Sequence, residues 1–304
     1  MKNVPQIHEK KNKKSNPLQT LGFRVQSYAE DLWPLPLKHT TINISIRDVL
    51  VTLLLYLCFT ILGKYAIPLF IVSLIKEPAL LCFPYNVIHS LFYFTPRFWD
   101  FNALEPKLNL LLQNFVVLQK EALDASLFSV PFSSHPHQRR IAEGQPWTVF
   151  SLFSYGTVHY ENCSKCPVLS SLLLQIPSIK LAMLSCMDGP THIRTHCGYF
   201  KNIIRVHLTL HLEHPETNEH TRFIRVGDED YHWKEGEIVA FDDTYPHEVI
   251  STVPGKRIVL FLDVERPYAN YAMKKISSLF LHILQSSPNI KAAAQFQEKN
   301  ALNS

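Results

Sequence analysis

Ile203-Ile-Arg-Val-His-Leu-Thr-Leu-His-Leu212 is a strand written in period two: Arg205, His207, Thr209 and His211 share one face, and Ile204, Val206, Leu208, Leu210 and Leu212 share the other. One face is polar and the other is core. Lys256-Arg-Ile-Val-Leu-Phe-Leu-Asp263 repeats the pattern, with Arg257, Val259, Phe261 and Asp263 opposite Ile258, Leu260 and Leu262. Working outward, short β-rich runs at 147–155, 179–187, 202–212, 221–226, 229–233, 237–241, 247–253 and 256–264 are separated by Gly, Pro, Asn and Asp. Gly227-Asp228, Glu235-Gly236 and Pro254-Gly255 mark turns between them. Eight short strands, with no helix among them long enough for a crossover, predict a mainly β fold, an antiparallel sandwich or jelly roll.

A chain of 304 residues can bury one sizeable core and keep residues over for a tail or an anchor. The net charge of +4, from 30 Lys and Arg against 26 Asp and Glu, is mild and dispersed, with no basic stripe between aromatics, so nucleic acid is excluded as a partner. Six cysteines in this length make no disulfide framework. Cys163 and Cys166 are close enough to bridge in an oxidising compartment, and a metal clip or two free thiols fit the spacing as well. Cys58 and Cys82 fall in apolar runs and are expected to pack.

From Leu50 to Ile75 the chain is apolar apart from Lys64, long enough for the roughly 20 residues a bilayer requires. Residues 47–76 are therefore expected to be a transmembrane anchor, although Lys64 costs about 2.5 to 3.5 kcal/mol at mid-membrane and Pro68 weakens the helix ladder. The run starts too late and is too long for a signal peptide. Lys10, Lys11, Lys13, Lys14, Arg24, Lys38 and Arg47 precede it and little beyond Lys76 comes after it, so the N-terminus is expected in the cytoplasm, with a single crossing. The run from Leu80 to Phe94, broken by Pro84, is short for a span; it reads as an interfacial helix or a second crossing, which would return the rest of the chain to the cytoplasm.

Residues 1–46 are expected to form a basic, disordered arm, and 77–135 a helical support region in which 104–123 carries apolar residues at helical spacing. The β domain occupies 136–268, and 269–304 is an amphipathic helix over 269–286 with a frayed tail beyond it.

Two histidines carry the chemistry. His196 lies in Ser185-Cys-Met-Asp-Gly-Pro-Thr-His-Ile-Arg-Thr-His-Cys-Gly198, and His247 in Phe241-Asp-Asp-Thr-Tyr-Pro-His-Glu-Val249. Two neutral imidazoles can hold a first-row metal while arginines on neighbouring strands grip a carboxylate, the equipment of an oxygen-activating iron site. A zincin is a poor fit, because the Glu of HExxH is replaced by Ile193 and Pro190 argues against a long helix. A facial triad has Asp or Glu two residues after its first histidine; here that residue is Gly198, a defect in an iron reading built from the residues alone. Asp242 and Asp243 could orient His247 or simply form the turn. His192 could line the pocket or pack on the surface, and His135, His137, His159, His214, His220 and His232 are expected to be exposed.

The stretch 147–267 resembles the catalytic domain of the aspartyl/asparaginyl β-hydroxylase family. The resemblance is carried by Trp147-x-x-Phe150 with Gly156, the block from Ser185 to Gly198, Arg205-x-His207-Leu-x-Leu210, Trp233-x-Glu-Gly236, Phe241-Asp-Asp243, His247-Glu-Val249, and Arg257 ahead of Asp263-Val264. It implies a double-stranded β-helix, a cupin-like jelly roll with flanking helices, using Fe(II) with 2-oxoglutarate and O2 as co-substrates. It further implies His196 and His247 as iron ligands and Arg257, helped by Ser185, as the partner of the distal carboxylate of 2-oxoglutarate, with Arg205 and His207 completing the pocket. Animal members are similar in having glycine at the position of Gly198, with solvent in place of a third protein ligand. Bacterial lipid A acyl-chain hydroxylases of the wider group resemble the chain in membrane attachment but generally keep an acid there. The expected reaction is hydroxylation of Asp or Asn side chains in a protein substrate. The alternatives are a lipid acyl chain or small molecule with the same chemistry, and a catalytically silent jelly roll, against which the four intact residues His196, His247, Arg205 and Arg257 speak.

Overall fold

The computed structural model describes residues 46–63, 78–93, 95–132, 146–214, 221–288 and 291. The expected arm at 1–46 therefore lies almost entirely outside the described residues, as do His135, His137, His220, Lys64 and Pro68. The longer helices are α1 (Ile46–Leu62), α2 (Cys82–Phe92), α3 (Phe115–Ser126), α4 (Pro167–Leu174) and α5 (Tyr271–Gln285).

The strands are β1 (Phe98–Trp99), β2 (Val130–Pro131), β3 (Trp147–Ser154), β4 (Thr157–Val158), β5 (Ile179–Asp188), β6 (Thr191–His196), β7 (Ile203–Leu212), β8 (Arg222–Val226), β9 (Glu229–His232), β10 (Ile238–Phe241), β11 (His247–Ser251) and β12 (Lys256–Glu265). They make two antiparallel sheets. The larger runs β1-β10-β7-β12-β5-β3-β2 with β4 beside β3, and the smaller runs β6-β11-β8-β9. From β5 to β12 the chain passes repeatedly between the sheets, which is the winding of a jelly roll.

The pattern of apolar residues reflects what covers each face. The larger sheet is buried on both sides. Its inward face, with Val149, Met183, Phe241 and Val259, meets Ile193, Ile224, Val226 and Val249 of the smaller sheet. Its outward face, with Leu184, Val206, Leu208, Leu260 and Leu262, is covered by Leu118 and Ala122 of α3 and Leu169 and Leu173 of α4. The smaller sheet has one face open, so β8 alternates strictly between buried and half-buried positions.

The expected helix over 104–123 is divided into Asn109–Gln113 and α3, with Asn114 leaving helical geometry and its side-chain amide donating to the Leu110 carbonyl at 2.8 Å. α4 was not expected from periodicity. Pro167 opens it, and Glu121 of α3 accepts from the Val168 and Leu169 amides at 2.9 Å each, placing an anion at the positive end of the helix. Cys163 and Cys166 are both free thiols, and burial pushes the Cys166 thiol up to about 12. The C-terminal helix stands where expected, capped by the Asn270 side chain on the Ala272 and Met273 amides.

The expected anchor at 47–76 is described only as far as Gly63. Over that part the chain forms α1, and among the described residues no helix is long and apolar enough to cross a membrane. Within the run from Leu80 to Phe94, Cys82–Phe92 forms α2, an 11-residue helix bonded through Asn86 to Tyr199 and Lys201.

Candidate metal and co-substrate site

His196 ends β6 and His247 opens β11. The two strands pair in register at these residues, and the imidazole centroids stand 4.2 Å apart. Each ring is fixed by its own chain: His196 Nδ1 lies 2.8 Å from the Arg194 carbonyl and His247 Nδ1 lies 3.0 Å from the Tyr245 carbonyl. A carbonyl only accepts, so each Nδ1 carries the proton and each Nε2 keeps its lone pair. Burial holds the His196 imidazole well below its usual range and His247 down at about 4, so both are neutral at physiological pH. β6 was absent from the expected strands because Thr-His-Ile-Arg-Thr-His has a single apolar residue and lies at a sheet edge.

Gly198 has a steric reason to be glycine. A Cβ at that position would fall on the Asp243 carboxylate, while the Gly198 amide donates to the Asp243 carbonyl at 2.7 Å. Asp243 thus occupies the space that a side chain two residues after His196 would need. Among the described residues no group of three or more His, Cys, Asp or Glu side chains is arranged to hold a metal ion. Asp242 serves elsewhere, accepting from Arg266 at 2.8 Å and from the Thr244 hydroxyl at 2.6 Å inside the turn that leads to His247.

Arg205 is not left open for a ligand as the resemblance implied. Its guanidinium bridges Asp243 at 2.6 Å and Asp263 at 2.9 Å and lies 4.0 Å over the Phe261 ring. It neutralises two buried carboxylates beside the histidine pair and so positions the site. Arg205→Met removes the cation that faces both acids, leaving Asp263 the Tyr155 hydroxyl at 2.7 Å, and is expected to cost about 3 to 5 kcal/mol of folding stability, read from denaturant unfolding; a loss under about 1 kcal/mol, the worth of a surface pair, would refute this role.

Arg257, by contrast, has no carboxylate partner among the described residues. It is buried on β12, stacked 3.8 Å over Trp233, with Nη2 3.0 Å from the Met187 sulfur and Nη1 without a hydrogen bond. Burial, with Arg222 nearby, lowers its pKa to about 9. Around it on the same inward face, both ring nitrogens of His207 and the Thr209 hydroxyl are buried without partners. Ser185 lies two residues from Met187, the cross-strand partner of Arg257, and its hydroxyl accepts from the Trp147 indole at 2.9 Å. Buried polar atoms are normally satisfied, so this concentration of orphans beside a lone guanidinium is the profile of a site for an anionic ligand.

Trp233, Met187 and Thr209 were not singled out for this site from sequence; the Trp-x-Glu-Gly motif was the available signal for the first. His192 lies on the exposed face of the smaller sheet, 3.0 Å from Glu248. His159, expected at the surface, is buried with Nε2 3.1 Å from the Ser154 hydroxyl.

Fold and geometry together define a jelly-roll protein with two histidines paired across β6 and β11 and a buried arginine on β12 that has no carboxylate partner among the described residues. The family model for aspartyl/asparaginyl beta-hydroxylase matches residues 113–267, and the chain belongs to that family. It is 30% identical over 159 residues to the ornithine lipid ester-linked acyl 2-hydroxylase of Rhizobium tropici, covering 50% of this chain and 56% of that protein. It is 27% identical over 137 residues to the human aspartyl/asparaginyl beta-hydroxylase, covering 43% of this chain and 17% of that one. The chain thus spans about half the length of the first relative and much less of the second. A solved prolyl hydroxylase from Trichoplax adhaerens, in complex with a peptide fragment of a hypoxia inducible factor, covers 55% of this chain and 81% of its own at 12% identity and a TM-score of 0.38, too distant to add to the fold read from the strands.

Proposed function

We propose that this chain is an iron(II)- and 2-oxoglutarate-dependent hydroxylase acting on Asp or Asn side chains of a protein substrate. The observation that carries the reading is the unpaired, buried Arg257 on the same barrel interior as the facing pair His196 and His247. The donor set fits iron(II): two neutral imidazoles whose Nε2 lone pairs would hold the metal. When bound, iron(II) with 2-oxoglutarate and O2 supplies the oxidant that inserts one oxygen atom into a C–H bond.

The chain's own residues bind and orient. Arg257 presents a planar fork to the distal carboxylate of 2-oxoglutarate, bidentate bonding that a lysine could not reproduce. The Ser185 hydroxyl, which accepts from Trp147, keeps its own hydrogen to donate to the same carboxylate. His207, neutral through burial and the nearby Arg257 and Arg205, lies on the same inward face between Phe241 and Phe261. The two aromatic rings keep water away from this side of the site. Arg205 holds Asp243 beside the metal ligands.

Residues 136–268 would be the catalytic domain, 77–135 its helical support and 47–76 a single-pass membrane anchor with the N-terminus in the cytoplasm. A lipid acyl chain is the second reading, supported by the apolar residues α2 turns outward and by the lipid-modifying name of the Rhizobium relative. The test is succinate release by the full chain in detergent with iron(II), ascorbate and 2-oxoglutarate, without and with EGF-like peptides or lipid. Peptide-stimulated succinate, with a peptide mass gain of one oxygen atom, is the expected result. Stimulation by lipid alone would replace the substrate, and no succinate under any condition would end the proposal.

A further inference from the structure

Helix α2 buries Cys82, Phe83 and Tyr85 as a water-soluble helix would, but its second half is inside out for a protein surrounded by water. It buries Asn86, His89 and Ser90, at 0%, 1% and 5% exposure, and turns Ile88, Leu91 and Phe92 outward at 57%, 58% and 77%. The buried polar side is used. Asn86 donates to the Tyr199 carbonyl at 2.8 Å and accepts from the Lys201 amide at 3.1 Å, while the Tyr85 hydroxyl bonds Asn202. Both His89 nitrogens lack hydrogen-bond partners, and burial pushes its pKa down to about 3, so a neutral ring is packed against Tyr93 and Tyr268. Burying polar groups while exposing aliphatic ones costs free energy twice in water. The arrangement becomes favourable when the medium beyond Ile88, Leu91 and Phe92 is apolar.

One neighbouring helix, α1, repeats the pattern, and a second, α5, packs beside α2 with an ordinary apolar inner side. α1, packed on α2, buries Asp48 at 1% and exposes Tyr56, Leu57, Phe59 and Ile61 at 50% or more. Consecutive exposed positions run round the helix instead of along one stripe, so a protein groove would leave some uncovered, whereas lipid covers every side. α5 meets α2 through Leu281 and Leu284, which share a buried cluster with Tyr85 and Phe200. Outward it exposes Leu279 beside the two cations Lys274 and Lys275.

We infer that the outward faces of α1, α2 and α5 form one docking surface for an anionic phospholipid bilayer, with α2 and α5 lying in the boundary between headgroups and acyl chains. Lys274 and Lys275 face the headgroups, where each is worth about 1 kcal/mol near an anionic surface. This goes beyond an anchor in 47–76, because it fixes the orientation of the β domain as well as its attachment. The loop 197–202 after His196 lies directly under α2, bonded to Asn86 through Tyr199 and Lys201, so the domain presents the metal end of its barrel close to the membrane surface.

The test uses the full chain in vesicles of phosphatidylcholine and phosphatidylglycerol. A bimane probe is attached at Phe92→Cys or Leu279→Cys in a Cys58→Ser background and quenched by lipids spin-labelled high on the acyl chain. Probes at 92 and 279 should be quenched several-fold more than one at Leu174→Cys on α4, and quenching at 279 should weaken in pure phosphatidylcholine or with Lys274→Glu and Lys275→Glu. Quenching no greater than at 174 would overturn the inference. So would spin labels at 92 that couple between chains without lipid quenching, which would mark a contact between two copies. Neither readout involves iron or 2-oxoglutarate, so failure here leaves the proposed hydroxylase reading untouched.

Discussion

Arg257→Met is expected to raise the 2-oxoglutarate concentration needed for half-maximal succinate formation by roughly 30- to 4000-fold, the span that corresponds to the about 2 to 5 kcal/mol lost when one partner of a buried charged contact is truncated. The companion result separates a binding role from a structural one. In the free protein Arg257 is a desolvated cation with an unbonded Nη1 and no carboxylate among the described residues. Removing such a charge should leave unfolding stability unchanged or raise it, whereas removing a structural arginine costs several kcal/mol. Arg257→Lys should retain part of the affinity, because it keeps the charge and loses the fork. Equal half-saturation in wild type and Arg257→Met, or a large stability loss in the variant, would remove Arg257 from the co-substrate pocket. Succinate release under varied 2-oxoglutarate and denaturant unfolding of the free protein provide the two measurements.

The contrast between Arg257 and Arg205 marks the limit of what the sequence can say. Both stand on the polar face of a period-two strand, one residue type in one kind of setting, and from sequence they take the same role. The register pairs Arg205 with Asp263, its cross-strand partner, and Asp243 arrives from a turn 38 residues on. No local pattern carries that second partner. The alternating strands themselves are legible because their period is set by the pleat and by burial on the large sheet. β6 is not, since an edge strand with one buried side needs few apolar residues. α4 is hidden for a different reason: its capping anion, Glu121, belongs to another helix. For α2, the short apolar run suggests an interfacial helix or a second crossing but does not say which side faces the protein, and Asn86, His89 and Ser90 turn inward.

His247→Ala and His196→Ala should each abolish stoichiometric iron binding and with it succinate release. Among the described residues two imidazoles meet at the site, paired across β6 and β11, and no third protein donor stands with them. An iron held by these two imidazoles alone would have no redundancy in its protein ligands, so losing one should exceed the 10- to 100-fold that changes to outer-shell partners typically cost. Backbone carbonyls hold the proton on each Nδ1, so the surviving ring cannot swing its other nitrogen in without breaking a bond of 2.8 or 3.0 Å. Nor can Gly198→Asp compensate: its Cβ would land on the Asp243 carboxylate, which Arg205 holds at 2.6 Å, and a new acid would have to break that pair first. Metal analysis after dialysis, beside circular dichroism to show the fold is kept, makes the measurement. One iron per chain retained by a folded His247→Ala variant would move the metal centre away from this pair.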